Sequence, residues 1–132
     1  MSDTLQHLKE ASQDLLFPSE SDYPLVPFEW PQDKPLPTSA ALLLSGTGYP
    51  GDTPVQTLNF EEFFAFKIEE RDDQDAPQRA GARRLKTLVE VLQSQLSELR
   101  VYKLGSLKFD VFILGHDAQG RWLGLSTQVV ET

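Results

Sequence analysis

Cysteine is absent from the 132 residues, which removes a disulfide framework, a thiolate metal site and a cysteine nucleophile together. Histidine is scarce: only His7 and His116 occur, too few and too far apart for a His-x-x-x-His zinc pair. There is no Walker loop and no Gly-x-Ser-x-Gly elbow, so nucleotide hydrolysis and serine-hydrolase chemistry lack their parts. Gly46-Thr47-Gly48-Tyr49-Pro50-Gly51 has the glycines of a phosphate turn, but it opens no helix and Pro50 interrupts it. Positive charge is also short. Lys+Arg number 12 against 20 Asp+Glu, a net charge of −8, which disfavours phosphate backbones and anionic membranes and favours a positively charged partner. No run approaches the roughly 20 apolar residues of a membrane span, and Met1 to His7 has neither the basic nor the apolar region of a leader. The expectation is a cytoplasmic chain.

What is present suits one compact core. The chain is 39% hydrophobic and 10% aromatic, and its length matches a single domain of roughly 100 to 150 residues, here expected to span residues 1–132. Leu5, Leu8, Ala11, Leu15 and Leu16 recur at helical spacing, and Asp3 with Gln6 can form a capping box, so a helix is predicted over 4–16. Phe17 to Pro24 reads as an exposed, proline-bracketed loop. Leu25 to Trp30 reads as a strand, and Pro27, which cannot donate to a ladder, places it at a sheet edge. Thr38 can cap a short helix through Leu42, Leu43 and Leu44 that stops at Gly46, although three leucines also suit a buried strand.

Gly46 to Pro54 reads as loop and Val55 to Leu58 as a short strand; Asn59 and Glu62 then box the start of a segment whose Phe60, Phe63, Phe64 and Phe66 belong to the core. Residues 69–75 hold five acids, too densely charged to pack, and read as a solvated loop. Asp75, Pro77 and Gln78 suit a helix start, and the stripe Leu85, Leu88, Val89, Leu92, Leu96 and Leu99 predicts a helix over 77–98. Beyond Arg100 the period becomes two: Val101 to Leu104, Leu107 to Leu114 and Trp122 to Val129 read as an antiparallel meander, broken at Gly105 and at residues 116–120. Leu107, Phe109, Val111 and Ile113 form one apolar face, while Phe112 and Leu114 on the other also need cover. Helices on both sides answer that need. The expectation is an α+β fold, a central and mainly antiparallel sheet flanked by helices in a three-layer sandwich.

Chemistry-bearing residues are few. Glu20 and Asp22 could pair as acid and base, but carboxylates on a serine-rich loop are usually solvated, and no apolar pocket is visible to raise a pKa. His116 reads as a turn residue, His7 as a helix-surface residue, and Trp30 and Trp122 as core aromatics. The acidic run 69–75 is a solubilising loop or a dock for a basic protein. The final strand is expected to run almost to the end, so if Val129 and Val130 pack, the hydroxyl and terminal carboxylate of Thr132 would be held in place as hard oxygen ligands of the kind Mg²⁺ takes, although composition alone does not make a chain end a site.

The order and spacing of three segments resemble the nuclease A inhibitors. They are Leu8-Lys9-x-Ala11-Ser12-x-x-Leu15-Leu16-Phe17-x-Ser19-Glu20-Ser21-x-Tyr23-Pro24, the helix around Leu88-x-Glu90-Val91, and Val101-Tyr102-x-Leu104-Gly105 continuing to Ser126-Thr127-x-Val129-Val130-Glu131-Thr132. The resemblance implies a small acidic protein, not itself an enzyme, that blocks a sugar-non-specific endonuclease of the ββα-metal class. It implies that Glu20, flanked by Ser19 and Ser21, mimics the scissile phosphate, and that the Thr132 hydroxyl, beside Glu131, ligates the nuclease's catalytic Mg²⁺. No cofactor of its own, no direct contact with nucleic acid or membrane, and a monomeric free state are implied as well. The family's second contact, an Asp-Trp pair before the long helix, falls on Asp72 and Asp73, so the aspartate is kept and the tryptophan is not. The competing expectation is an acidic binding module of the same fold directed at another basic partner; a small carboxylate-dependent hydrolase is a third.

Overall fold

The computed structural model describes residues 3–13, 15–17, 23–31, 33–37, 39–65, 67–106 and 108–130. Along the chain these form α1 (Asp3–Ser12), β1 (Leu16–Phe17), β2 (Tyr23–Pro24), β3 (Val26–Glu29), α2 (Ala40–Thr47), β4 (Val55–Asn59), α3 (Phe60–Ala65), α4 (Ala76–Gln95), β5 (Ser97–Ser106), β6 (Lys108–His116) and β7 (Trp122–Val130). Five strands make one antiparallel sheet in the order β3-β7-β6-β5-β4, and β1 and β2 form a separate two-stranded ribbon. The fold is α+β.

The two faces of β6 explain the layers. Val111 and Ile113 point into a large core with Leu8, Phe60, Phe64, Leu85, Leu88 and Leu92, so α1, α3 and α4 cover that side. Phe112 and Leu114 point the other way, into a smaller core with Trp30, Leu43, Leu44 and Leu104 under α2. A leucine buried completely, as Leu8, Leu88 and Leu92 are, contributes on the order of 1.5–3 kcal/mol.

Edge placement of the proline-bearing strand holds: β3 lies at the end of the sheet, and Pro27 pairs in register with Leu125. The meander holds too, but β5 is longer than predicted. It starts at Ser97, one residue beyond the C-cap Leu96, so Leu99 belongs to the strand rather than to the helix stripe, and Gly105 sits within β5 at a φ of 113° instead of breaking it. Period-two and period-3.6 patterns overlap at such a junction, because Leu96 is buried on either reading.

Other boundaries move for local reasons. α1 ends at Ser12, not at residue 16: the Ser12 hydroxyl donates back to the Leu8 carbonyl at 2.6 Å, and the Leu15 amide turns onto Ser12 O at 3.0 Å. Leu15 is then buried from a turn rather than a helix, and its carbonyl accepts the Leu25 amide at 3.3 Å. The loop predicted from Phe17 to Pro24 is correspondingly shorter, since Phe17, Tyr23 and Pro24 belong to the ribbon. The cap of α2 is Ser39, whose Oγ accepts the Leu42 amide at 3.2 Å; Thr38 lies outside the described residues. Helix α2 also runs through Gly46 and stops at Gly48, which takes the left-handed conformation at φ 82°. α4 begins as expected, with Asp75 and Gln78 exchanging bonds of 2.8 and 2.9 Å in a capping box. Asn59 accepts the Glu62 amide at 3.0 Å at the start of α3.

Candidate functional site

Five of the residues singled out by the resemblance, Ser19, Glu20, Ser21, Glu131 and Thr132, lie outside the described residues, as does Asp22. Their flanks are described, and they meet. β1 and β2 pair antiparallel with Leu16 opposite Pro24 and Phe17 opposite Tyr23, which closes the base of the segment 18–22. β2 packs beside β7, and β7 runs to Val130, opposite Lys108 at the start of β6. The Lys108 ammonium lies 5.7 Å from the centre of the Tyr23 ring. One lysine thus borders both the last residue before 131–132 and the first residue after 18–22.

Asp72 and Asp73 are fully described and exposed, but they are not free charges. Arg71 Nε lies 3.3 Å from Asp73 Oδ1, Arg79 Nη2 3.8 Å from Asp72 Oδ1, and Arg83 Nη2 2.7 Å from Glu70 Oε1. Arg79 Nε also donates to the Arg71 carbonyl at 3.0 Å, and the Arg71 amide to Gln74 Oε1 at 2.8 Å. The bond from Arg83 holds the Glu70 carboxyl below the ordinary carboxylate range, and Glu70 in return raises Arg83. The run expected to be merely solvated is a loop braced by arginines of the following helix, which charge counting along 69–75 alone does not reveal.

Helix α4 carries that loop toward the same end of the molecule. Its last residue passes to Ser97 at the His116–Trp122 end of the sheet, and twenty residues span about 30 Å, so its start lies toward the Lys108–Val130 end. Two bonds show α1 antiparallel to α4: Thr4 Oγ1 to Gln95 Oε1 at 3.3 Å, and Arg84 Nη2 to Gln13 O at 2.5 Å. Gln13, close to the flank of the 18–22 segment, is therefore beside the N-terminal half of α4.

The excess acid is unevenly spread. Residues 1–66 hold ten Asp and Glu against two Lys, a net −8, whereas residues 67–132 hold ten acids against ten bases, a net of zero. The first half supplies α1, both edge strands and the segment containing Glu20.

Sites for other chemistry are poor. Among the described residues, no group of three or more His, Cys, Asp or Glu could hold a metal ion, and no helix is long and apolar enough to cross a membrane. A shallow groove of about 350 Å³ lies between α1 and β3, and of the described residues that line it, Ser12, Leu15, Leu25 and Val26 among them, only Lys9 is ionisable. His7 is exposed on α1. His116, expected in a turn, ends β6 with its ring 5.4 Å from that of Trp122. The turn is organised by Asp117, buried to 5% exposure, whose carboxylate accepts from the amides of Gln119 and Arg121 at 2.9 Å each and from Arg121 Nε at 3.1 Å. Burial pushes the Asp117 carboxyl up, but those bonds and the guanidinium outweigh it and leave it below its ordinary value. Its role is in the hairpin.

A family model described as nuclease A inhibitor-like protein matches residues 2–132. The chain belongs to that family. A search of curated proteins finds no match. Membership of the nuclease A inhibitor-like family implies a nuclease inhibitor role. Reasoning from the sequence gave no part to Lys108, beside Tyr23 and Val130, or to Arg79, beside Asp72. The position of Lys108 opposite Val130 depends on strand register, and that of Arg79 on where α4 begins; neither is written in periodicity.

Proposed function

We propose that residues 1–132 act as a single proteinaceous inhibitor of a sugar-non-specific DNA/RNA endonuclease of the ββα-metal class. Glu20 takes the place of the scissile phosphate in the nuclease active site, with Ser19 and Ser21 beside it. The Thr132 hydroxyl, next to Glu131, ligates the nuclease's Mg²⁺; the inhibitor itself is a cytoplasmic monomer that brings no cofactor. Asp72 and Asp73 form a secondary contact. The carrying observation is the meeting of Tyr23 and Val130 at Lys108, because it joins the flanks of both primary contact segments at one end of the sheet.

The physics is that of an occupied polyanion cleft. A site built to hold nucleic acid is positive and contains a divalent ion, so a −8 protein is steered toward it and a carboxylate can sit where phosphate would. No bond in the inhibitor has to break. Titration into nuclease A with Mg²⁺ and plasmid DNA tests the reading: stoichiometric, reversible inhibition is expected, and none at micromolar excess overturns it.

One observation favours a second reading. Asp73 stands where the family has tryptophan, and it is paired with Arg71. Loss of a tryptophan anchor costs on the order of 2 kcal/mol at an interface. An acidic module for a different basic partner fits that change, and tight partner binding untouched by changes at Glu20 and Thr132 would distinguish it.

A further inference from the structure

We infer that Arg79 is a positioning residue that holds the turn Arg71–Gln74 against the start of α4 and so presents Asp72 and Asp73 from a preformed loop. The inference rests on the proposed inhibitory role, in which those two carboxylates make the secondary contact. Arg79 is itself fixed, because its amide donates to the Asp75 carbonyl at 3.0 Å as one of the opening bonds of α4, just beyond the Asp75–Gln78 capping box. From there its Nε donates to the Arg71 carbonyl at 3.0 Å, and its Nη2 lies 3.8 Å from Asp72 Oδ1. One guanidinium thus grips the loop at two consecutive residues. The same Arg71 carbonyl accepts the Gln74 amide at 3.1 Å, and the Arg71 amide donates to Gln74 Oε1 at 2.8 Å, which closes the turn around the two aspartates. One helical turn further along the same face of α4, Arg83 takes Glu70 at 2.7 Å.

The two grips differ in strength. An ion pair between exposed groups contributes little in water, and the Asp72 carboxylate is fully exposed. The bond to the Arg71 carbonyl is part-buried, directed and charge-assisted, and it ties down main chain rather than side chain. Arg79 therefore acts through the path of the backbone and leaves both carboxylates facing solvent. A segment so rich in like charge would otherwise extend and fluctuate. Held as a turn, it loses less conformational freedom on meeting a partner surface. Without the family's tryptophan anchor, the affinity this contact adds depends on how little is lost in ordering it.

The experiment compares Arg79→Ala, Arg79→Lys, the double variant Asp72→Asn/Asp73→Asn, and that double variant combined with Arg79→Ala. Inhibition of nuclease A with Mg²⁺ and plasmid DNA, and amide exchange at Arg71 and Gln74 in the free protein, are measured for each. Arg79→Ala should raise exchange at both amides and weaken inhibition about fivefold, the size of one hydrogen bond. Arg79→Lys keeps the charge but not the paired Nε and Nη2 donors, so both amides should still exchange faster than in the parent. Once both carboxylates are neutral, removing Arg79 should weaken inhibition no further. Unchanged exchange in Arg79→Ala, full recovery in Arg79→Lys, or an undiminished effect of Arg79→Ala beside the two asparagines overturns the inference. So does full inhibition by Asp72→Asn/Asp73→Asn. A parent protein that does not inhibit nuclease A would overturn the proposed function instead, and exchange at Arg71 and Gln74 would still decide whether Arg79 holds the loop.

Discussion

The indole of Trp30 occupies the space that a side chain at Gly46 would need: a Cβ built there runs into Cζ2 and Cη2 of the ring. Trp30 cannot move aside cheaply. Its amide donates to the Trp122 carbonyl at 2.8 Å, its Nε1 to Pro35 O at 3.0 Å, and its ring meets Phe28 edge-on at 6.4 Å. Gly46→Ala should therefore destabilise the protein by about 1–3 kcal/mol despite alanine's better helix propensity. A lowered urea midpoint with shifted tryptophan fluorescence is the expected result; a more stable variant would show that α2 and Trp30 do not pack this closely.

Asp117 gives stability a defined acid limb. Its folded pKa is depressed below the ordinary 3.8, so its contribution is complete above that value and is lost as pH falls through the folded pKa. Asp117→Ala should cost about 2 kcal/mol at pH 7, because two turn amides and a guanidinium lose their acceptor. Measured by urea unfolding as a function of pH, the gap between parent and variant should close below pH 3.8. A gap that stays constant to strong acid would exclude the ionised carboxylate as its source.

Thr127 is over-polar for its place. Its Oγ1 is buried without a hydrogen-bond partner among the described residues, on the core-facing side of β7 between Leu125 and Val129 and in register with Val111. Thr127→Val keeps the shape and the β-branch while removing the unsatisfied hydroxyl, and should stabilise the protein by about 1 kcal/mol. A loss of stability in urea unfolding would show that the hydroxyl has a partner in solution.

Glu20→Gln keeps size and polarity but removes the charge proposed to replace phosphate. It should weaken inhibition of nuclease A by about 2–5 kcal/mol while leaving the unfolding midpoint unaltered. An unchanged inhibition constant would remove Glu20 from the mechanism.

The chain end offers a separate check. Deleting Thr132, or extending the chain past it with a tag, should weaken inhibition and leave the far-ultraviolet circular dichroism and midpoint intact. Full inhibition by the extended protein would rule out metal ligation by the terminal residue.

Elements whose apolar pattern had a single solution were readable from sequence. The stripe from Leu85 to Leu92 fits only a helix face, the two-sided alternation of β6 demanded cover on both sides, and Pro27 had to sit at an edge. Boundaries failed where two geometries bury the same residue, as at Leu15 and Leu96, and where a glycine was read as a stop although its missing side chain makes room for an indole. At the candidate site, Asp72 and Asp73 were located in sequence, but the partner of Asp72 is Arg79, seven residues on in α4, that of Asp73 is Arg71, two residues before it, and the neighbouring Glu70 pairs with Arg83, thirteen residues on. Such pairings, like the one between Tyr23 and Lys108, are created by the fold.

The division of charge between the halves of the chain separates two properties that most small domains must tune together. The electroneutral second half builds the three inner strands and α4, while the acidic first half builds both outer strands and the covering elements α1, α2 and α3. Substitutions that refine the inner strands leave the long-range pull on a cationic surface untouched, and surface changes on the first half retune that pull without disturbing the strands beneath. Partner choice can drift while the scaffold stays still.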